Sequence, residues 1–181
     1  MRLIHFATDV TESTVEDLVT ALRSPNAPRT VLIDSKGGHF MFFSTLGPAI
    51  LRRGITTVSG DVRSSAISLY LHGQRRLAYP DAQFRFHEVH FDVPGWGLAT
   101  LTDIEREEED FLRLQGKARE EAEEFVHGLR VAQSWLMNFM SERTGARPHV
   151  FEDLMRRNAM VNAREAVRLG LVHEIISPPQ R

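Results

Sequence analysis

Two short apolar runs limit what this chain can fold into more than any other feature. Thr30–Ile33 (TVLI) and Ile55–Ser59 (ITTVS) are continuous and rich in β-branched residues, the pattern of strands covered on both faces. Each leads straight into glycine and polar residues: Asp34-Ser35-Lys36-Gly37-Gly38 after the first, Gly60-Asp61-Val62-Arg63-Ser64-Ser65 after the second. Leu3–Phe6 supplies an earlier strand. Val15, Leu18, Val19 and Leu22 then repeat at helical spacing behind a Ser13-Thr14-Val15-Glu16 capping box, up to the Ser-Pro-Asn-Ala-Pro stretch at 24–28. A helix over Met41–Arg53, weakened by Gly47-Pro48, completes the order β-α-β-α-β. That order calls for a mainly parallel sheet with right-handed crossovers.

Beyond Ile55–Ser59, Gly60-Asp61 reads as a turn. Ser64–His72 reads as a helix stopped by Gly73. Residues 75–79 and 83–89 read as strands joined by a Pro80-Asp81 turn. From Leu101 to Arg143 there is no proline, and apolar residues recur at 101, 104, 111, 114, 118, 122, 125, 129, 132, 136 and 139. This spacing predicts one long helix or a helical hairpin, with Gly116 and Gly128 as points for a bend. A helix of that length outreaches a small domain, so an arm extending to a neighbouring subunit is the sharper expectation. Helices follow at His149–Arg157 and from Asn162 to Gly170, then a strand at Leu171–Ile176. With no repeat and no linker, residues 1–181 read as a single domain.

Composition removes several function classes. A formal net charge of -2, with 42% hydrophobic and 25% charged residues, gives no electrostatic footprint for nucleic acid. Zero cysteines exclude disulfides, thiolate metal sites and a cysteine nucleophile. The N-terminal apolar run is too short for a signal peptide, and nothing approaches a membrane span. A cytoplasmic location without membrane partners is the default expectation.

The chemistry-bearing residues cluster around Gly60–His87. Gly37-Gly38 after a strand lets backbone N–H groups approach a ligand. Ser64, at the start of a helix, has the Ser65 N–H behind it as an oxyanion donor and feels the positive end of the helix dipole. His87 is the candidate base for the serine proton. A metal site on His87 and His90, with Glu88 or Asp92 nearby, is disfavoured. Residues three apart on a strand point to opposite faces, and no third ligand is evident. No metal and no cofactor are therefore expected.

Taken together, IDSKGG, GDVRSSA, GQRRLAYPDAQFRFH, the Thr144-Gly145 pair and NAREAVRLGLVHEI resemble the ClpP-type serine peptidases of the ClpP/crotonase fold. The resemblance spans about residues 2–177, with the long helix as its divergent part. It implies a fold of repeated β-β-α units with a protruding handle helix at 101–143. It also implies a serine endopeptidase with Ser64 as nucleophile, His87 as base and Gly38 and Ser65 as oxyanion donors. Ser64 stands four residues after Gly60 and nine before Gly73, and His87 seven after Pro80, the steps of the family pattern; Ser65 would break two of them. The third position, an aspartate in the family, falls on Asn158, with Asp153 as a substitute close by. Lys36 replaces the usual proline, and Arg63 directly precedes the nucleophile.

By the same resemblance the substrate is a peptide or unfolded protein, docking by β-addition along Glu88–Gly95, and the assembly is a homo-oligomer built through residues 101–143. The chain begins at its first strand, without the family's axial N-terminal segment, which leaves an ATPase partner open. Two alternatives stand beside the peptidase: a non-catalytic or weakly active assembly protein, suggested by Asn158, and a crotonase-type acyl-CoA enzyme.

Overall fold

The computed structural model describes residues 2–39, 53–93, 97–107 and 116–178, with the backbone alone at 117 and 118. The helix expected over Met41–Arg53 lies almost wholly outside these residues. The parallel sheet is present: β1 (Ile4–Phe6), β2 (Thr30–Ser35), β3 (Thr56–Arg63) and β4 (Arg75–Arg85) lie side by side in chain order, every neighbouring pair parallel. Thr57, Val58 and Ser59 are buried in succession, as a strand covered on both faces requires. On β2 only Val31, Ile33 and Ser35 are buried, so that strand alternates instead.

Helix α1 (Glu12–Arg23) buries Val15, Leu18 and Leu22, the expected stripe. Its cap lies earlier than the Ser13 spacing suggested. Thr11 is the N-cap and exchanges side-chain bonds with Thr14. A hydroxyl at the closing position serves where glutamate usually does.

Two expected turns are absorbed into strands. β3 runs through Gly60-Asp61, and β4 runs through Pro80-Asp81. The pairing Ser59↔Ala78 gives way to Asp61↔Gln83, so β4 carries the excess residues as a bulge. Proline is admissible there because a bulge already interrupts the ladder. Beyond the bulge the far edge of β4 changes partner. Its first half pairs in parallel with β8 (Glu174–Ile175), and its second half pairs antiparallel with β7 (Met160–Asn162).

Helix α2 (Ser65–Leu71) is buried along its whole length beneath the sheet. The expected long helix is interrupted. α3 (Leu101–Arg106) has a Thr100/Asp103 capping box and ends at Glu107, whose φ of -110° and ψ of 32° are not helical. α4 then runs from Gly116 to Thr144, about 43 Å at 1.5 Å per residue. Its buried side chains Ala122, Val126, Leu129, Gln133, Leu136 and Met140 form one stripe at alternating steps of four and three, with Ala132 buried beside it. The stripe serves two clusters. Leu136 and Met140 join the main core, while Ala122, Val126 and Leu129 pack with Val93, Ala99 and Ile104. α5 (Pro148–Arg156) and α6 (Ala163–Arg168) close the fold, the latter capped by Asn162 as expected. The last strand is shorter than expected because Leu171 and Val172 are spent filling the core before β8 begins.

One buried cation ties the helix ends together. Arg76 donates to the carbonyls of Leu171 (2.7 Å), Gly170 (3.0 Å) and Arg143 (2.8 Å), while Arg143 donates to those of Leu71 (2.8 Å) and Gly73 (2.9 Å). These are the unpaired C-terminal carbonyls of α2, α4 and α6, where a guanidinium is the natural partner. Burial, and then the Arg143 charge, lower the Arg76 pKa to about 10.

Candidate active site

Ligands of open parallel sheets bind beyond the carboxyl ends of the strands. Gly37-Gly38 follows β2, Ser64 follows β3 and His87 follows β4, so all three leave the sheet at that end. They surround a cavity of about 570 Å³ whose lining includes Gly38, Ser64, Ser65 and His87. Its floor is apolar, formed by Ile67, Phe86, Leu136, Met140 and Met155. Lys36, His39, Glu88, His90 and Asp92 give it polar walls.

Ser64 joins β3 to α2 in a conformation few non-glycine residues adopt, φ 53° and ψ -132°. Such a position costs about 1–3 kcal/mol and persists where neighbours over-determine it. Here the Ser64 N–H donates to the Arg85 carbonyl at 2.9 Å, and its own carbonyl accepts from the Ile67 N–H at 3.0 Å. Gly37 closes in from the other side. A Cβ on Gly37 would lie 2.6 Å from the Ser64 Cβ and 2.7 Å from the Arg63 carbonyl oxygen. Both serines line the cavity, but Ser65 is buried and its Oγ has no hydrogen-bond partner among the described residues.

The two backbone donors are available by local geometry. Ser65 is the first residue of α2, where N–H groups have no partner within the helix. Around Gly38, Val10 donates to the Gly37 carbonyl at 2.8 Å and accepts from the His39 N–H at 2.9 Å. This bridge uses the groups flanking Gly38 on the Val10 side, and alternation turns the N–H of Gly38 the other way. A Cβ there would meet the Val10 oxygen at 2.3 Å, so only glycine allows the bridge.

β4 ends at Arg85, four residues earlier than expected, after which the Phe86 N–H donates to the Ala159 carbonyl at 2.9 Å, the last bond in register with β7. Residues 86–90 are therefore irregular. The His87 and His90 rings do not point to opposite faces but lie side by side, centroids 5.5 Å apart. Among the described residues no group of three or more His, Asp or Glu is arranged to hold a metal ion. His87 Nδ1 lies 2.7 Å from the backbone carbonyl oxygen of Glu88. A carbonyl only accepts, so this contact assigns the proton to Nδ1 and leaves Nε2 as the basic nitrogen.

The third position takes a different partner. Asn158 follows α5 with a left-handed φ of 49°, the helix-stopping conformation that asparagine tolerates best after glycine. Its Oδ1 accepts from Arg85 Nε at 3.2 Å. Asp153 pairs on the surface with Arg157 at 2.5 Å. Neither residue lines the cavity. Arg63 forms an ion pair with Asp61 beside the serine corner. Sequence reasoning passed over Arg85 and Gln133. Glu88 it noticed as a neighbour of histidines and as the start of a peptide-docking stretch, yet its side chain is buried and accepts from Gln133 of α4.

Of the described helices, none is long and apolar enough to cross a membrane. No curated protein sequence matches the chain significantly. Similar solved structures include the ClpP protease catalytic domain from Plasmodium falciparum (19% identity, 99% of this chain and 87% of that one, TM-score 0.65). ClpP1 from Listeria monocytogenes is similar too (19% identity, 98% and 92%, TM-score 0.66), as is an asparagine-to-aspartate mutant of it (20% identity, 98% and 92%, TM-score 0.65). At these identities the likeness is one of fold, and the fold is that of ClpP. The Clp protease family model matches residues 2–179, nearly the whole chain, and the chain belongs to that family.

Proposed function

We propose that the chain is a serine endopeptidase in which Ser64 Oγ attacks the scissile carbonyl. His87 Nε2 takes the serine proton and returns it to the leaving amine. The N–H groups of Gly38 and Ser65 receive the developing oxyanion. The observation that carries this reading is the strained Ser64 corner, which opens onto the same cavity as His87. Strain of this kind collects at working sites because it aims a side chain that relaxed backbone would turn away. The apolar floor suits an apolar side chain of a peptide substrate beside the reacting carbonyl. The hairpin of β5 (Phe91–Val93) and β6 (Gly97–Ala99) offers strand edge for β-addition of that peptide.

A homo-oligomer built through α4 goes with this reading. Phe125, Val131 and Trp135 are exposed along that helix, more apolar surface than solvent alone favours. A second reading, a ClpP-like assembly protein with little or no turnover, draws on one observation: the Asn158 oxygen is taken by Arg85.

Serine-directed fluorophosphonate labelling separates the two. The peptidase reading expects labelling of the wild type that disappears in Ser64→Ala and persists in Ser65→Ala, which retains its backbone N–H. Peptide hydrolysis in Ser64→Ala should fall by at least about a thousandfold. A well-folded oligomer that takes no label is the result expected of the assembly protein.

A further inference from the structure

Glu88 is among the few charged side chains that are buried among the described residues, at 5% exposure. It lines the cavity and directly follows His87. A carboxylate removed from water needs either a cation or a full set of hydrogen bonds. Among the described residues Glu88 has neither: its one partner is the Gln133 amide, Nε2 donating at 3.3 Å, and no cation lies within ion-pair distance. Gln133 is itself buried on the inner stripe of α4, with its own Oε1 unpartnered among the described residues. Two polar side chains have thus been set into the apolar seam between α4 and the cavity.

The backbone of Glu88 accounts for the arrangement. Its carbonyl accepts the His87 Nδ1–H at 2.7 Å, the bond that an aspartate makes in an Asp-based triad. Residues 86–90 belong to no strand, so no ladder fixes the direction of that carbonyl. The buried side chain, held by Gln133, is the anchor left to this residue.

We propose that Glu88 is the positioning residue for His87: its carbonyl holds the base tautomer, and its buried carboxylate, anchored by Gln133, supplies the counter-charge that Asn158 lacks. This rests on the serine peptidase reading above. When Ser64 gives its proton to His87, the imidazolium adds a second positive charge to the surroundings of Glu88, where Arg156 already acts on it from beyond ion-pair distance. An anchored carboxylate then gains more in the transition state than in the ground state, which raises kcat rather than tightening substrate. Gln133 is a positioning residue at one remove.

The test uses the full chain in its solution oligomer, with a fluorophosphonate probe and a fluorogenic peptide. Glu88→Gln keeps the shape and removes the charge. It should lower kcat and the labelling rate by about tenfold to a hundredfold while KM changes less than about twofold. Glu88→Asp should recover part of that loss. Wild-type kcat in a folded Glu88→Gln variant overturns the inference, as does a loss confined to KM. Should Glu88→Gln not fold, Gln133→Met keeps the length of the anchor without its amide. An expected kcat loss of about threefold to tenfold supports the inference, and an unchanged kcat overturns it. Labelling that survives Ser64→Ala would instead overturn the peptidase reading, and this inference with it. Ser64-dependent labelling with a fully active Glu88→Gln overturns this inference alone.

Discussion

Arg85 and Asn158 face each other at the end of β4, the guanidinium Nε donating to the amide oxygen at 3.2 Å. The carbonyl of the same arginine holds the Ser64 N–H at 2.9 Å. One residue thus anchors the serine corner through its backbone and, through its side chain, holds Asn158, the residue at the third position implied by the family resemblance. A carboxylate at 158 would meet the same guanidinium, and a charged pair is stronger than the present bond. Asn158→Asp alone should therefore raise kcat/KM by less than about threefold, the new charge being held by Arg85. Asn158→Asp combined with Arg85→Met should raise it by about tenfold or more, because the carboxylate is then free to turn to the imidazole. Steady-state hydrolysis of one peptide by wild type, both single variants and the double variant checks this. Equal gains in the single and double variants would show that Arg85 does not compete.

The close approach of Gly37 to Ser64 makes a second expectation. Alanine at 37 has both a steric and a conformational conflict: φ is +96°, and the added Cβ would sit 2.6 Å from the Ser64 Cβ and 2.7 Å from the Arg63 carbonyl. Both obstacles are backbone or Cβ atoms, which no rotamer change relieves. Either β2 or the serine corner must move. Gly37→Ala should cost about 2–4 kcal/mol of stability. Where the fold survives, hydrolysis should fall by about a hundredfold or more, since misplacement near 1 Å has that effect. Urea unfolding followed by kcat/KM on the same preparation gives both numbers. Near-wild-type values in both would remove Gly37 as a support of the corner.

Legibility in the sequence followed the range of the forces involved. Ile55–Ser59 announced a doubly covered strand because local burial leaves its pattern in consecutive residues, and Thr57–Ser59 are buried together. The helix after β3 was legible from its apolar run and the Gly73 stop, since helix starts and stops are local events, while the choice of Ser64 over Ser65 came from the family resemblance. Pro80-Asp81 misled because a turn residue and a bulge residue look alike; only pairing with β3 on one side and β7 and β8 on the other keeps β4 continuous. Asn158 carries two meanings at once, a family position by counting and a left-handed helix stop by geometry. The Glu88–Gln133 contact joins positions 45 apart. Gln133 sits inside an apolar stripe whose register only the packing of α4 reveals.

His72 makes stability depend on pH in a direction that can be worked out beforehand. It caps α2, its Nδ1 donates to the Ser68 carbonyl at 2.7 Å, and its ring stacks on Phe139 with centroids 4.7 Å apart. Burial, reinforced by the Arg143 charge and opposed by the Ser68 bond, lowers its pKa from 6.5 to about 4. Between those values the unfolded chain binds a proton that the folded chain refuses. The contribution is therefore complete above pH 6.5 and is lost as the pH falls toward 4, amounting to about 3 kcal/mol. His173, whose pKa burial also lowers, acts with the same sign, so the wild-type slope alone does not isolate His72. His72→Phe retains the aromatic stack and removes the titrating group. Urea unfolding of the variant between pH 7 and pH 4.5 should show a smaller loss of stability than wild type, by about 2–3 kcal/mol. Parallel curves for the two proteins would mean that the ring accepts its proton without leaving the fold.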